Sequence, residues 1–191
     1  MVAGLLLTGG ASRRLGRDKA TLVVHGERLA DRGARVLGAV CAPVLEVGPG
    51  VSALPSVREE PAGSGPLAAL AAGGAELSRR GHDDAALLRG VDLAFVDAPL
   101  LELLATWPGD GVVVPVRDGR RQTCCARFGR EALVTAAQLV ARGERSLHAL
   151  LDATSVVDVP EEEWRAVAPA HALDDLDTPE DLVRFGLEGG R

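Results

Sequence analysis

Tyrosine is absent from this chain of 191 residues, and Phe and Trp bring the aromatic fraction to only 3%. With so few rings to fill volume, a core has to be assembled from Ala, Val and Leu. The hydrophobic fraction of 47% is enough for one, which argues against disorder and for a packed single domain over residues 1–191. Cysteine is also scarce. Cys41, Cys124 and Cys125 make an odd count, two are adjacent and no CxxC occurs, so a disulfide framework or zinc site is not indicated and a reducing compartment fits. The four histidines (His25, His82, His148 and His171) stand apart without ligand spacing. That gives no support to a metal cluster or a Ser/His/Asp triad, and the cysteines read as small buried residues rather than nucleophiles.

Long apolar runs are missing as well. Residues 2–7 are too short for the apolar region of a signal peptide, with no basic residue after Met1, and no stretch approaches the roughly 20 residues of a membrane span. The expectation is a cytoplasmic protein with no membrane contact. Excess positive charge is missing too: the net charge is −6, which argues against broad nucleic-acid binding while leaving room for a small cationic site. Of the 21 basic side chains only Lys19 is a lysine, a compact and flexible point charge that arginine copies poorly.

What is present alternates between strand-like and helix-like segments. Residues 2–7, 44–47, 85–91, 112–116, 123–128 and 155–159 read as strands; 27–40, 66–79, 98–105, 130–141 and 146–151 read as helices. Thr178-Pro179-Glu180-Asp181 has the form of a helix start, with Thr as N-cap and Pro in the first turn. Such alternation predicts a three-layer α/β/α sandwich with a mostly parallel, Rossmann-like sheet, whose ligands bind beyond the carboxyl ends of the strands. Arg89 and Gly90 are unusual in a buried strand.

Three places offer chemistry. After the first strand, Gly9-Gly10 lets the backbone approach a ligand closely, and Arg13, Arg14, Arg17 and Lys19 place four cations within seven residues against Asp18 alone. In an acidic chain that surplus suits a polyanion such as a triphosphate; the alternative is a solvated basic loop. It is neither a Walker A sequence nor GxGxxG. Asp92 ends the strand-like segment 85–91 and is placed to hold Mg²⁺ against phosphate oxygens. Asp97 is its rival, and looks like an N-cap before Ala98-Pro99. Gly63-Ser64-Gly65-Pro66-Leu67-Ala68 opens a helix through glycines, either as a base or phosphate contact or as an ordinary helix entry.

Leu7-Thr8-Gly9-Gly10-Ala11-Ser12-Arg13-Arg14-Leu15-Gly16-Arg17-Asp18-Lys19-Ala20 resembles the LAGGxSxRMGxDKA signature of molybdenum cofactor guanylyltransferases. Weaker similarity follows in order at Gly65-Pro66-Leu67-Ala68, Val91-Asp92-Leu93, 119–128, 143–147 and 175–182. The resemblance implies a nucleotide-diphospho-sugar transferase type of fold, GTP and Mg²⁺ as nucleotide and cofactor, and transfer of GMP to the terminal phosphate of Mo-molybdopterin with release of pyrophosphate. By motif it implies that Leu7, Thr8, Gly9, Gly10, Glu60, Gly65, Pro66 and Leu67 bind GTP. Lys19, helped by Arg13, would neutralise the triphosphate, and Asp92 would bind the metal. Gln122, Asp175 and Asp177 would lie near the second substrate. It also implies transient contact with proteins of cofactor biosynthesis or molybdoenzyme maturation. Gly9-Gly10, where cytidylyltransferase relatives tend to carry Ala-Gly, resembles the guanine branch. Alternatives are a cytidylyltransferase or another nucleotidyltransferase acting on a phosphorylated cofactor precursor, and a non-catalytic nucleotide- or pterin-binding homologue. The chain departs from the pattern at Ala94, where relatives often carry Pro, and at Thr123-Cys124, where Pro-Leu is usual.

Overall fold

The apolar runs become the strands of one eight-stranded, mostly parallel sheet, seen in a computed structural model that describes residues 1–9 and 18–187. In chain order the first half comprises β1 (Ala3–Leu7), a 3₁₀ turn (Lys19–Thr21), the hairpin β2 (Val23–Val24) and β3 (Glu27–Arg28), α1 (Leu29–Gly38), β4 (Val44–Val47), β5 (Ser56–Val57), α2 (Pro66–Arg79) and β6 (Ala85–Gly90). The second half comprises α3 (Ala98–Thr106), β7 (Val112–Arg117), β8 (Arg120–Arg121), β9 (Cys125–Gly129), α4 (Arg130–Ala141), α5 (Leu147–Ala153), β10 (Val156–Val159), α6 (Glu161–Arg165) and α7 (Pro179–Arg184). The sheet order is β10-β7-β9-β6-β1-β4-β5, with β8 paired to β7. Its pairs are parallel except those of β9 with β6 and β7 and the short β7–β8 ribbon.

Two apolar layers sandwich the sheet. On one face β1, β4 and β6 present Leu5, Leu45 and Leu88 to Leu67 and Leu70 of α2, Ala132 of α4 and Leu150 of α5. On the other, Leu6 and Leu87 meet Leu37 of α1, Leu100 and Leu104 of α3 and Trp164 of α6. Successive strand residues go to opposite faces, so the continuous apolar runs reflect burial on both sides. Each fully buried Leu contributes roughly 2 kcal/mol; Ala, Val and Leu carry this core because the rings are few. Trp164 is fully buried and its indole N–H donates to the Val116 carbonyl, 2.8 Å away.

A third cluster sits at the carboxyl ends of the central strands. Ala20 and Leu22 pack there with Leu29, Val91, Ala94, Leu176 and Leu182. It ties the 3₁₀ turn after the first loop to the C-terminal segment. Thr178 caps α7 through a reciprocal capping box with Asp181, as the sequence predicts for this helix start. Asp97 does precede α3, but its side chain makes no capping bond.

Candidate active site

The site forms where β1, β4 and β6 end. A cleft of about 620 Å³ opens there, and Leu7, Thr8, Gly9, Lys19, Glu59, Gly65, Pro66, Asp92 and Asp177 are part of its lining. Most of the residues singled out in the sequence therefore meet at one place. Gly10 and Arg13 lie outside the described residues.

Lys19 is held by local geometry. The Asp18 carboxylate accepts from the Ala20 N–H at 3.0 Å, opening the 3₁₀ turn, and Ala20 plugs into the third cluster. The Lys19 ammonium then donates to Asp92 Oδ2 at 3.3 Å and to Asp177 Oδ1. Burial works against its charge, but the hydrogen bond to Asp177 and the charges of Asp92 and Asp177 outweigh it, so the Lys19 pKa is raised. The backbone reinforces this convergence. Val91 N–H donates to the Leu7 carbonyl at 2.9 Å, and Leu176 N–H donates to the Asp92 carbonyl at 3.0 Å. The first strand, the Asp92 turn and the segment carrying Asp175 and Asp177 are thus joined directly. Gly90 belongs here for space: a Cβ on it would stand 2.5 Å from Asp92 Oδ1.

Thr8 is fixed from below by Glu46, a fully buried carboxylate in β4. Glu46 accepts from Thr8 Oγ1 (2.6 Å), from the N–H groups of Gly50 (2.8 Å), Val51 (2.9 Å) and Ser52 (2.8 Å), and from Ser52 Oγ (2.6 Å). Burial alone would raise its pKa; these donors more than offset that and hold it below the usual carboxylate range.

Two sequence assignments are corrected. Glu60 is exposed outside the cleft, and the carboxylate facing the cleft is that of Glu59, buried and accepting from Gly63 N–H at 2.8 Å. The chain bends at Glu60, which turns its side chain to solvent while that of the preceding Glu59 stays buried. Leu67 is fully buried in the core between α2 and the sheet rather than in the cleft, because Pro66 and Leu67 lie on different faces of the first turn of α2.

Gln122, Asp175 and Asp177 line a second depression of about 500 Å³, together with Arg117, Arg120 and Arg184. Asp177 belongs to both cavities. Asp174 is buried between Arg117 and Arg184, paired with both. Asp175 opens to solvent within this hollow, yet surrounding protein mass and the nearby Asp92 and Asp177 push its pKa up to about 6, with Lys19 pulling the other way. Cys124 lines the first cleft and was not anticipated there; burial pushes its thiol up to about 12, so it stays protonated at neutral pH.

A family model described as a MobA-like NTP transferase domain matches residues 4–159, from β1 to the end of β10. The chain belongs to this family. Among its relatives, the probable molybdenum cofactor guanylyltransferase of Opitutus terrae is 38% identical over 86% of this chain and 88% of that protein. The one of Chloroflexus aggregans is 32% identical over 95% and 92%. The crystal structure of molybdopterin-guanine dinucleotide biosynthesis protein A from Archaeoglobus fulgidus has the same fold, with a TM-score of 0.80 at 20% identity over 96% of each chain. Asp175 and Asp177 lie beyond the matched segment, on the tail that returns to the Asp92 turn. No described helix is long and apolar enough to cross a membrane.

Proposed function

We propose that this protein is a molybdenum cofactor guanylyltransferase, joining GMP from GTP to the terminal phosphate of Mo-molybdopterin and releasing pyrophosphate. The observation that carries the proposal is the meeting of Lys19, Asp92 and Asp177 where a nucleotide-sized cleft adjoins a second cavity. The chemistry has to bring two polyanions together, and the Lys19 cation beside the junction of the two cavities supports that reading.

GTP is assigned to the first cleft, with its base toward Glu59 and the turn at Gly65 and Pro66, and its phosphates toward Thr8, Gly9 and Lys19. A carboxylate such as that of Glu59 accepts from the ring N–H and exocyclic amine of guanine together, which supports guanine over cytosine. Mo-molybdopterin is assigned to the second cavity, beside Gln122 and Asp175. Mg²⁺ suits the donor set: Asp92 and Asp177 turn hard carboxylate oxygens toward one cation, Lys19, and Mg²⁺ is commonly held by one or two carboxylates plus substrate phosphates. Among the described residues no cluster of three metal-ligating side chains forms, so phosphate oxygens and water would supply the other ligands. When bound, Mg²⁺ supplies charge neutralisation at the phosphates.

The chain's own part is positioning and electrostatics. Lys19 exchanges its carboxylate partners for phosphate oxygens and stabilises charge on departing pyrophosphate. The attacking phosphate is already an anion, so no general base is required, and the protonated Cys124 supports direct in-line transfer without a covalent intermediate. The cysteines, all free, favour cytoplasmic work.

The test is pyrophosphate release from GTP, Mg²⁺ and the molybdenum-loaded pterin, with CTP in parallel. GTP turnover should fall roughly 10–150-fold in Lys19→Met, corresponding to about 1.5–3 kcal/mol of a charge-assisted contact, and should be nearly lost in Asp92→Ala. Equal rates in Asp92→Ala and wild type, or faster turnover with CTP, would sink the proposal.

A further inference from the structure

Arg89 has no evident place in a strand that is otherwise apolar, yet among the fully buried side chains of the described residues only Trp164 is larger. It follows Leu87 on the α1/α3 face of β6. Its guanidinium lies against Gly33 of α1, where an added Cβ would stand 2.4 Å from Nη1 and 2.6 Å from Leu6 Cδ1; the absent side chain leaves room for both. Nη2 donates to the Leu93 carbonyl at 2.8 Å, while Nε and Nη1 are buried without a hydrogen-bond partner. Burial lowers its pKa to about 10, so it remains a cation at neutral pH. A buried, incompletely satisfied guanidinium is a cost to folding, and an apolar side chain of similar length would fill the same space.

What that cost supports is local. Arg32, one residue before Gly33, donates from Nε to the Ala94 carbonyl at 2.7 Å. Consecutive carbonyls immediately after Asp92 are therefore gripped from the same side by two guanidinium groups on or beneath α1. The Asp92 carbonyl itself accepts from Leu176 N–H at 3.0 Å and Ala94 N–H at 2.9 Å. The whole 92–94 turn is pinned, which leaves the Asp92 carboxylate directed into the cleft.

We propose that Arg89 and Arg32 are positioning residues that hold the Asp92 carboxylate in its working orientation by gripping the Leu93 and Ala94 carbonyls. This rests on the role given to Asp92 above, and the experiment separates the two. Affinity for GTP is measured by calorimetric titration of the full chain, once with Mn²⁺ and once in EDTA, for wild type, Asp92→Asn, Arg32→Met and Arg89→Met, and for each arginine variant combined with Asp92→Asn. Each arginine variant should lose roughly tenfold of the affinity that the metal confers, as expected when a group supporting a metal ligand is removed, while GTP binding in EDTA stays unchanged. In the Asp92→Asn background the same substitutions should change Mn²⁺-dependent affinity by less than about twofold, because their effect passes through that carboxylate. Losses of equal size in both backgrounds, no loss at all, or a matching loss in EDTA would overturn the positioning role. If Asp92→Asn alone leaves the Mn²⁺ advantage intact, the role of Asp92 falls and this inference with it. Should Arg89→Met fail to fold, Arg89→Lys and the half-buried Arg32→Met carry the same comparison, the lysine restoring part of the metal advantage through its single reach to Leu93.

Discussion

Replacing Glu46 by glutamine removes a charge that no ligand is expected to touch, and it should still cost the fold roughly 3 kcal/mol at neutral pH. The carboxylate has five donors, three on Oε1 (Thr8 hydroxyl, Gly50 and Val51 amides) and two on Oε2 (Ser52 amide and hydroxyl). Glutamine keeps one oxygen. Its least damaging placement keeps the oxygen on the three-donor side and turns the NH₂ toward Ser52, whose hydroxyl can rotate to accept but whose amide cannot. One stranded donor costs about 1–3 kcal/mol, and the surviving bonds fall from charge-assisted to neutral strength, adding about 1 kcal/mol more. For a chain of this length that lowers Tm by roughly 6–12 °C. The pH dependence is fixed by the direction of the shift. Because the folded carboxyl titrates below its ordinary range, its stabilisation is fully present above that range and is lost as pH falls through the lower folded value. The gap between wild type and variant should therefore narrow on acidification. Urea unfolding at neutral pH and down a series into the acid range measures it. A gap below about 0.5 kcal/mol at neutral pH, the scale of an ordinary surface change, or a gap equally wide in acid, would refute the account of Glu46.

Three further outcomes follow from the site. Glu59→Gln should weaken GTP binding by roughly tenfold, the loss of one charged hydrogen bond, while Glu60→Gln leaves it unchanged; a fluorescence or calorimetric titration decides between adjacent residues. Gly90→Ala should keep the fold but displace the Asp92 carboxylate, from which the new Cβ would be 2.5 Å, and turnover should fall on the order of 100-fold, as for a misplacement of about an ångström. In metal-free buffer, the contribution of Asp175 to stability should decline as pH rises from the ordinary Asp value of 3.8 to about 6, because folded Asp175 keeps its proton after the unfolded chain has lost its own; the stability of Asp175→Asn relative to wild type should therefore rise across this range, which thermal melts would read.

The sequence displayed the nucleotide half of the site more clearly than the rest. Lys19 and Asp92 follow strand-like segments, and strand ends converge in this architecture, so linear position alone brought them together. That Glu59 rather than Glu60 faces the cleft was not legible, because Arg58-Glu59-Glu60 is charged throughout and has no alternation of polarity to set a phase. Glu46 was missed although it had a signal: a charged residue inside the apolar Val44-Leu45-Glu46-Val47 must find donors if it is buried. Arg89 had the same signal, visible as an oddity in the strand but unexplained until Gly33 and the Leu93 carbonyl stood beside it. The hairpin of β2 and β3 and the short α6 escaped because two- to five-residue elements do not establish a period. That Asp177 would join Lys19 across 158 positions is a property of the third apolar cluster, which no local pattern encodes.

The reversed strand β9 has a consequence for how such a protein can diversify. Running against its neighbours, it presents its beginning, not its end, at the rim where the other strands finish, and the ribbon of β7 and β8 that leads into it sets Gln122 on the second cavity. Residues 118–122 can therefore lengthen, shorten or change composition without breaking the β1–β4–β6 frame that carries Thr8, Glu46 and Asp92, whereas Arg117 is held by Asp174 and the Cys124 carbonyl accepts from Gly90 N–H. On the proposed assignment, acceptor and nucleotide contacts fall largely on separate parts of the chain, with Asp177 lining both cavities, so exchanging this ribbon between relatives is a route to a new acceptor that leaves the nucleotide half in place.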